Sequence, residues 1–379
     1  MKNNNLKKGI KKIHLWLGLS SGIIVFIIAI TGCLYAFQEE IQNLTEEYRF
    51  VQEQQSPFLP PSQLLKIAQK QLPTKTIHAL KYNRKTDAAE AIFFHYEPTY
   101  YYTTYLNPYS GKVLKTVDNE TGFFHFILDG HYYLWLPDQI GQVVVATATL
   151  LFLILIISGF ILWYPKNKNA AKQRFTFKWK KGMKWKRKNY DLHNITGFYV
   201  LLIAFIFAIT GLIWGFQWFA FSYYKVLGGE KSLVYVEPLS KVTREQKSAS
   251  AIPLDIIWFK MIKEHPKAES IELHPPENDS SSIAVNVNSD KETYSKIDYR
   301  YFDQYSLKEI SVNHIWGRKK VAKIADALMK MNYDIHTGGI FGLAGKVFAF
   351  LISLLIASLP VTGALIWWGK IRNKKSKIT

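Results

Sequence analysis

The chain has 379 residues, 48% of them hydrophobic, and carries a formal net charge of +19 at pH 7. A basic balance of that size suits a nucleic-acid partner only when it covers a soluble face, and here it is gathered in short segments that flank apolar runs. The single cysteine, Cys33, excludes disulfides in the outer segments, a cysteine-based zinc or iron–sulfur site and any CxxC redox pair.

Four strongly apolar runs, about 13–37, 141–164, 195–219 and 343–368, each exceed the ~20 helical residues needed to cross a hydrocarbon core of ~30 Å. None contains Asp or Glu, which argues against a transporter with acidic residues at mid-membrane. The first run is too long and bulky for a cleaved signal peptide, and Cys33-Leu-Tyr-Ala-Phe follows it where a small-x-small site would stand. It reads as a retained helix.

Charge orients the spans. Lys2, Lys7, Lys8, Lys11 and Lys12 precede the first. The loop Lys166–Lys188 holds eleven Lys/Arg and no acid, and Lys370, Arg372, Lys374, Lys375 and Lys377 follow the last. The remaining 27 Lys/Arg face 29 Asp/Glu, so the rest is nearly neutral. By the positive-inside rule these three segments are cytoplasmic. The predicted order is a cytoplasmic N-terminus and first helix (1–37), an outer segment (38–140), a second helix (141–164) and a basic cytoplasmic loop (165–192). A third helix (193–219), a second outer segment (220–341), a fourth helix (342–369) and a basic tail (370–379) complete it. The basic loop also suits anionic lipid.

The outer segments share one plan. In the first, an amphipathic helix over Leu59–Leu72 precedes strands at Thr76–Tyr82, Ala89–Tyr96 and Tyr100–Leu106, and a turn at Asn107–Gly111 leads to Lys112–Thr116. In the second, a helix over Pro253–His265 precedes strands near Ser270–Leu273, Ser282–Val287 and Ile297–Phe302, and the turn Asp303–Ser306 leads to Lys308–Val312. Tyr105-Leu-Asn-Pro-Tyr-Ser-Gly-Lys112 aligns with Tyr301-Phe-Asp-Gln-Tyr-Ser-Leu-Lys308.

The membrane runs repeat as well. His14 opens the first and His193 the third, and each is followed 17 residues later by Thr-Gly, at Thr31-Gly32 and Thr210-Gly211. Gly141 and Gly345 are followed at the same interval by Ser158-Gly159 and Thr362-Gly363. His131 and His336 stand upstream of the second and fourth runs. Four histidines at matching helix ends read as ligands for something held between the repeats. Haem b needs axial imidazoles and an apolar slot. A pseudo-twofold axis along the membrane normal lets His14 and His193 bracket one macrocycle near the inner face, and His131 and His336 a second at the outer rim. His125, one or two turns before His131, is an alternative to it. Gly18 and Gly197 remove bulk beside His14 and His193. Lys184, Lys186, Arg187 and Lys188 suit haem propionates. Trp163, Trp214, Trp218, Trp367 and Trp368 read as an aromatic belt, the tyrosines at 100–102 and 105 as strand packing or a cleft wall, and His78, His95, His265, His274 and His314 as surface residues.

These features resemble the PepSY-associated transmembrane helix proteins, often called iron-regulated membrane proteins. The resemblance rests on His14-x3-Gly18, on His131-Tyr-Tyr-Leu-Trp-Leu-Pro with Ile140-Gly141, and on Ser158-Gly-x3-Trp163-Tyr-Pro. It continues through Lys184-Trp-Lys-Arg-Lys-Asn-Tyr-Asp-Leu-His193-Asn-x2-Gly197-Phe, Asp334-Ile-His336-Thr-Gly-Gly and Leu359-Pro-x-Thr-Gly-x3-Trp367. It implies an α-helical membrane protein with four transmembrane helices in two tandem repeats, plus two extracytoplasmic α+β PepSY-like domains. In the second of these Leu307 replaces the turn glycine. Relatives include haem proteins that reduce ferric siderophores. The resemblance therefore implies a multi-pass protein of the bacterial inner membrane with both termini cytoplasmic, binding one or two bis-histidine haem b groups. It implies an oxidoreductase that passes electrons to a periplasmic ferric siderophore or other oxidised metal complex, with the two outer domains walling the cleft where that complex docks. With no GxGxxG unit, the electrons come from quinol or a partner protein. The alternative is a PepSY-type regulatory or binding protein without redox activity.

Overall fold

The protein is described by a computed structural model covering residues 2–165, 167–241 and 252–375. Of the basic segments, Lys166 and Lys377 lie outside the described residues, as do the side chains of Lys2, Lys374 and Lys375. The chain divides into two compact units. One comprises Met1–Gln38, Phe126–Tyr223 and Ile335–Thr379, and the other Glu39–His125 and Tyr224–Asp334.

The elements that matter below are, in chain order, α1 (Lys2–Tyr35), α2 (Pro61–Gln69), β1 (Ile77–Tyr82), β2 (Ala89–Tyr96), β3 (Thr99–Leu106), β4 (Val113–Asp118), α3 (Phe123–Tyr133), α4 (Asp138–Trp163) and α5 (Gly197–Gly215). They continue with α6 (Ile252–Glu264), β5 (Ser270–His274), β6 (Ile283–Asn288), β7 (Ile297–Phe302), β8 (Glu309–Ile310), α7 (Asn332–Thr337) and α8 (Gly342–Lys375).

The first unit is a bundle in which α1 packs on α4 and α8, and α5 packs on α4 and α8. Four stretches, Asn5–Thr45, Asp138–Trp163, Trp185–Gly215 and Gly339–Arg372, are long and apolar enough to cross a membrane, with mean hydropathy between 2.3 and 2.7. Large apolar side chains such as Ile23, Leu202 and Leu351 stand 66%, 66% and 53% exposed, a surface that only lipid covers favourably. Without a hydrophobic drive between helices in lipid, small residues set the contacts. A Cβ on Gly22 would meet the Cβ of Pro360 at 3.4 Å, and Gly215 of α5 lies directly against Ala146 of α4. Ala29, Ala204, Ala208 and Ala357 fill the centre with Val25 and Val200.

The second unit is one antiparallel sheet in the order β4-β3-β2-β1-β5-β6-β7-β8. The predicted strands appear within a residue or two, except that β8 is only two residues long. The two outer segments, read from sequence as separate domains, are joined here. Strand β1 pairs with β5 in the register Leu80↔Leu273, Lys81↔Glu272 and Tyr82↔Ile271. The physical reason is that β1 and β5 are each the free edge of a four-stranded half, and pairing them satisfies both rows of backbone groups. Period-two alternation sends Leu80, Ala91, Phe93, Leu273, Val285 and Phe302 to a single core, shared with Leu64 of α2 and Trp258 of α6. The two helices are tied at their first turns, where the Ser62 backbone N–H and hydroxyl both donate to Asp255, at 2.8 and 2.6 Å.

The turns confirm the internal duplication. Asn107 N–H donates to Lys112 O at 2.8 Å and Gly111 N–H to Asn107 O at 2.8 Å. Asp303 N–H donates to Lys308 O at 2.9 Å and Leu307 N–H to Asp303 O at 2.9 Å. Gly111 has φ +72 and Leu307 has φ +56, so Leu307 keeps the left-handed conformation of the glycine it replaces.

Candidate haem-ligand site

The four repeated histidines meet in two pairs, both within the membrane unit. The His14 and His193 ring centroids are 6.4 Å apart with an interplanar angle of 81°. Those of His131 and His336 are 6.3 Å apart at 67°. Each ring is seated by the hydroxyl–glycine dipeptide of another helix. His14 Nδ1 lies 2.8 Å from Ser158 Oγ, and His193 Nδ1 lies 3.0 Å from Thr362 Oγ1. His131 Nδ1 lies 3.2 Å from Thr31 Oγ1 and 2.9 Å from Ile28 O, and His336 Nδ1 lies 2.8 Å from Thr210 Oγ1.

The tautomer follows from where the hydroxyl protons go. Ser158 Oγ donates to Leu155 O at 3.1 Å, Thr362 Oγ1 to Ser358 O at 3.0 Å, Thr31 Oγ1 to Ile27 O at 2.8 Å and Thr210 Oγ1 to Ile206 O at 2.7 Å. Each hydroxyl's proton is thus committed to its own helix, and its oxygen accepts from the imidazole Nδ1–H. The Ile28 carbonyl requires the proton of His131 on Nδ1, and the hydroxyl contacts of the other three rings suit the same tautomer, which leaves Nε2 for a ligand as outer-shell partners do for metal-binding histidines.

The glycines after the hydroxyls lie beside the rings, and at Gly32, Gly159 and Gly363 a side chain would be tight against the imidazole, whereas at Gly211 it would make ordinary contact. A Cβ at Gly32 would lie 3.1 Å from His131 Cε1, at Gly159 3.3 Å from His14 Cε1, at Gly363 3.3 Å from His193 Cε1, and at Gly211 3.6 Å from His336 Cε1. The equivalences extend outward: a Cβ at Gly18 would lie 3.8 Å from Leu155 Cδ2, and one at Gly197 3.8 Å from Leu359 Cδ2. Residues 192–196, around His193, form one turn of π-helix, a local widening frequent at functional sites.

The residues fit haem b on three counts. Two imidazoles that bind one metal from opposite sides at ~2.0 Å per bond, each centroid ~1.1 Å behind its nitrogen, stand ~6 Å apart, which both pairs match. A cavity of about 390 Å³ surrounds the first pair and is lined by apolar side chains including Phe152, Ile156 and Val200, with Gly18, Gly159, Gly197 and Gly363 beside the histidines. Its size falls in the range of small-molecule and cofactor sites. Two cations line it, Lys11 and Lys370.

Some expectations change. Lys184, Lys186, Arg187 and Lys188 are not among the cavity's lining residues; the lysines that line it are Lys11 and Lys370, at the ends of α1 and α8. Trp163 is not a belt residue: it is 7% exposed, lines the cavity and stacks on Phe198 at 3.9 Å. Trp214 sits edge-on to His336 at 5.4 Å. Trp218 and Trp368 are 56% and 66% exposed, as belt residues require. His131 rather than His125 is the ring beside His336. His314, expected at the surface, is 3% exposed because Tyr235, Tyr301 and Trp316 enclose it. The spacing in the sequence links Thr31-Gly32 and Thr210-Gly211 to the histidines of their own helices, whereas in the fold every Thr-Gly and Ser-Gly seats a histidine presented by another.

No curated protein matches this chain. The family model for the PepSY-associated TM region matches residues 11–370 and so includes all four histidines, their hydroxyl–glycine seats and the eight-stranded sheet. The chain belongs to the family of the PepSY-associated transmembrane region.

Proposed function

We propose that this chain is a haem b electron-transfer protein of the bacterial inner membrane that delivers electrons outward to an oxidised metal complex, a ferric siderophore being the best fit. The observation that carries the reading is the set of two histidine pairs with ring centroids 6.4 and 6.3 Å apart, each Nδ1 seated on a hydroxyl oxygen with a glycine beside the ring. His14 with His193, and His131 with His336, would each hold a haem, which would supply a one-electron couple whose potential the imidazoles and their hydrogen bonds would tune.

The two pairs are well separated. His14 and Thr31 lie 17 residues apart on α1, and Thr31 seats His131. At 1.5 Å per residue the pairs are about 25 Å apart along the helix, most of a hydrocarbon core of ~30 Å. The apolar cluster of Val25, Ala29, Val200 and Ala208 packs in the interval, with Val25 and Val200 also lining the inner cavity. Lys11 and Lys370 attract the propionates of a group held by His14 and His193. In this reading the basic ends and the basic loop are cytoplasmic, the sheet unit is periplasmic and PepSY-like in both halves, and quinol or a redox partner supplies electrons.

The test is spectroscopic. The purified chain should show the Soret and α bands of low-spin haem b. His193→Ala should lose one haem and His336→Ala the other, with both variants still inserted in the membrane. Dithionite-reduced protein should reoxidise on addition of a ferric siderophore under nitrogen, and much more slowly in His336→Ala. Haem content unchanged in both variants refutes the assignment.

A further inference from the structure

Outside the membrane unit, two more histidines sit side by side on the strands that join the halves of the sheet. His78 of β1 and His274 of β5 have ring centroids 4.9 Å apart at an interplanar angle of 78°. His274 Nε2 is 2.9 Å from Glu272 Oε1. Asn286 Nδ2 lies 3.1 Å from each of these two atoms.

These distances differ in kind from those of the membrane pairs. Two imidazoles that bind one ion as neighbours, at 90–110° and ~2.1 Å per bond, have centroids ~4.5–5 Å apart, against ~6 Å for opposite ligands. An oxygen and a nitrogen each ~2.1 Å from one ion at a right angle are ~3 Å apart, the span of the Glu272–His274 edge. Asn286 donates to Glu272 and fixes its carboxylate. The His274 and Glu272 side chains are 22% and 24% exposed, so an ion can enter.

We propose that His78, His274 and Glu272 form a binding site for a divalent first-row transition cation on the sheet. Among the described residues no group of three such side chains is already set to hold an ion; His274 and Glu272 are in contact with His78 beside them, and binding requires the His78 ring to turn toward them. Two imidazoles and one carboxylate select ions of the iron-to-zinc series over calcium and magnesium, and leave positions open for water or an incoming chelator. The site stands apart from the haem reading, because none of its residues belongs to the membrane unit.

Equilibrium dialysis of the purified full-length protein against Co²⁺, with bound metal counted directly, tests this. One Co²⁺ should bind, and His78→Ala, His274→Ala and Glu272→Gln should each weaken it at least ~10-fold with haem content unchanged. His95→Ala, an exposed histidine on the neighbouring strand, should bind as the parent does. Glu272→Gln keeps the shape and the Asn286 contact, so its loss of Co²⁺ reports the charge and not a collapsed sheet. Absence of Co²⁺ uptake, uptake equal to the parent's in all three variants, or uptake lost only in His193→Ala overturns the proposal.

Discussion

Thr362 and Gly363 do separate jobs for one imidazole. The hydroxyl takes the Nδ1 proton of His193, and the absent side chain leaves space at Cε1. Thr362→Ala should leave the ring free to turn and lower haem affinity ~10-fold, within the range typical of outer-shell partners. Gly363→Val should abolish haem at that pair, because its γ-methyls enter the ring's volume. Both variants should keep the helical circular dichroism of the parent. Haem retention in Gly363→Val equal to the parent's would show that the glycine serves helix packing alone. At the same scale, Lys330 shows what burial does to a charge. Burial first, and the Lys231 charge second, lower its pKa to about 8 from the usual 10.5, against the pull of Asp298 and Asp326. Between those values the unfolded chain holds the extra proton, so stability rises with pH from about 8 to 10.5, and below 8 the full penalty stands. Lys330→Met should raise the unfolding midpoint at pH 7, by on the order of 1 kcal/mol once solvent screening is allowed for, and flatten that alkaline rise. A lower midpoint would mean that its contacts with Gly317 O and the Tyr299 ring outweigh its burial.

Elements in this chain are recorded in sequence more clearly than their partners are. Hydropathy placed all four membrane helices and alternation placed the strands, because each depends on residues three or four apart, or two apart, along the chain. What no local pattern records is that Asp255 of α6 binds the first turn of α2, 193 residues away. A carboxylate accepting a backbone N–H and a hydroxyl from another helix acts as a borrowed N-cap. Asp255→Ala should cost ~2 kcal/mol, read as a lower denaturant midpoint of the sheet unit. A double-mutant cycle with Ser62→Ala should be strongly non-additive. Additive losses would show that the two helices are held by their apolar faces alone. The join of β1 to β5 belongs to the same class: each strand was predicted, but an edge does not announce which other edge it will meet.

For the whole molecule, the orientation in the membrane is set by where the basic residues lie and is open to direct test. Single cysteines placed at Lys180 and at Arg372, both exposed, in a Cys33→Ala background should resist impermeant maleimides in intact cells. One placed at Tyr96 of the sheet, 78% exposed, should react. Labelling at Lys180 from outside would invert the topology and with it the proposed direction of electron transfer. The sequence by itself determined the four spans, the twofold repeat, the two histidine pairs and the family, since each is a matter of composition or of fixed spacing along one chain. Only the tertiary structure decided which hydroxyl and glycine seat which imidazole, that Lys11 and Lys370 border the inner cavity, that Trp163 and His314 are enclosed, and that two outer segments share one sheet. Those depend on side chains far apart in the chain meeting in three dimensions, and helix packing and strand-edge pairing are what bring them together.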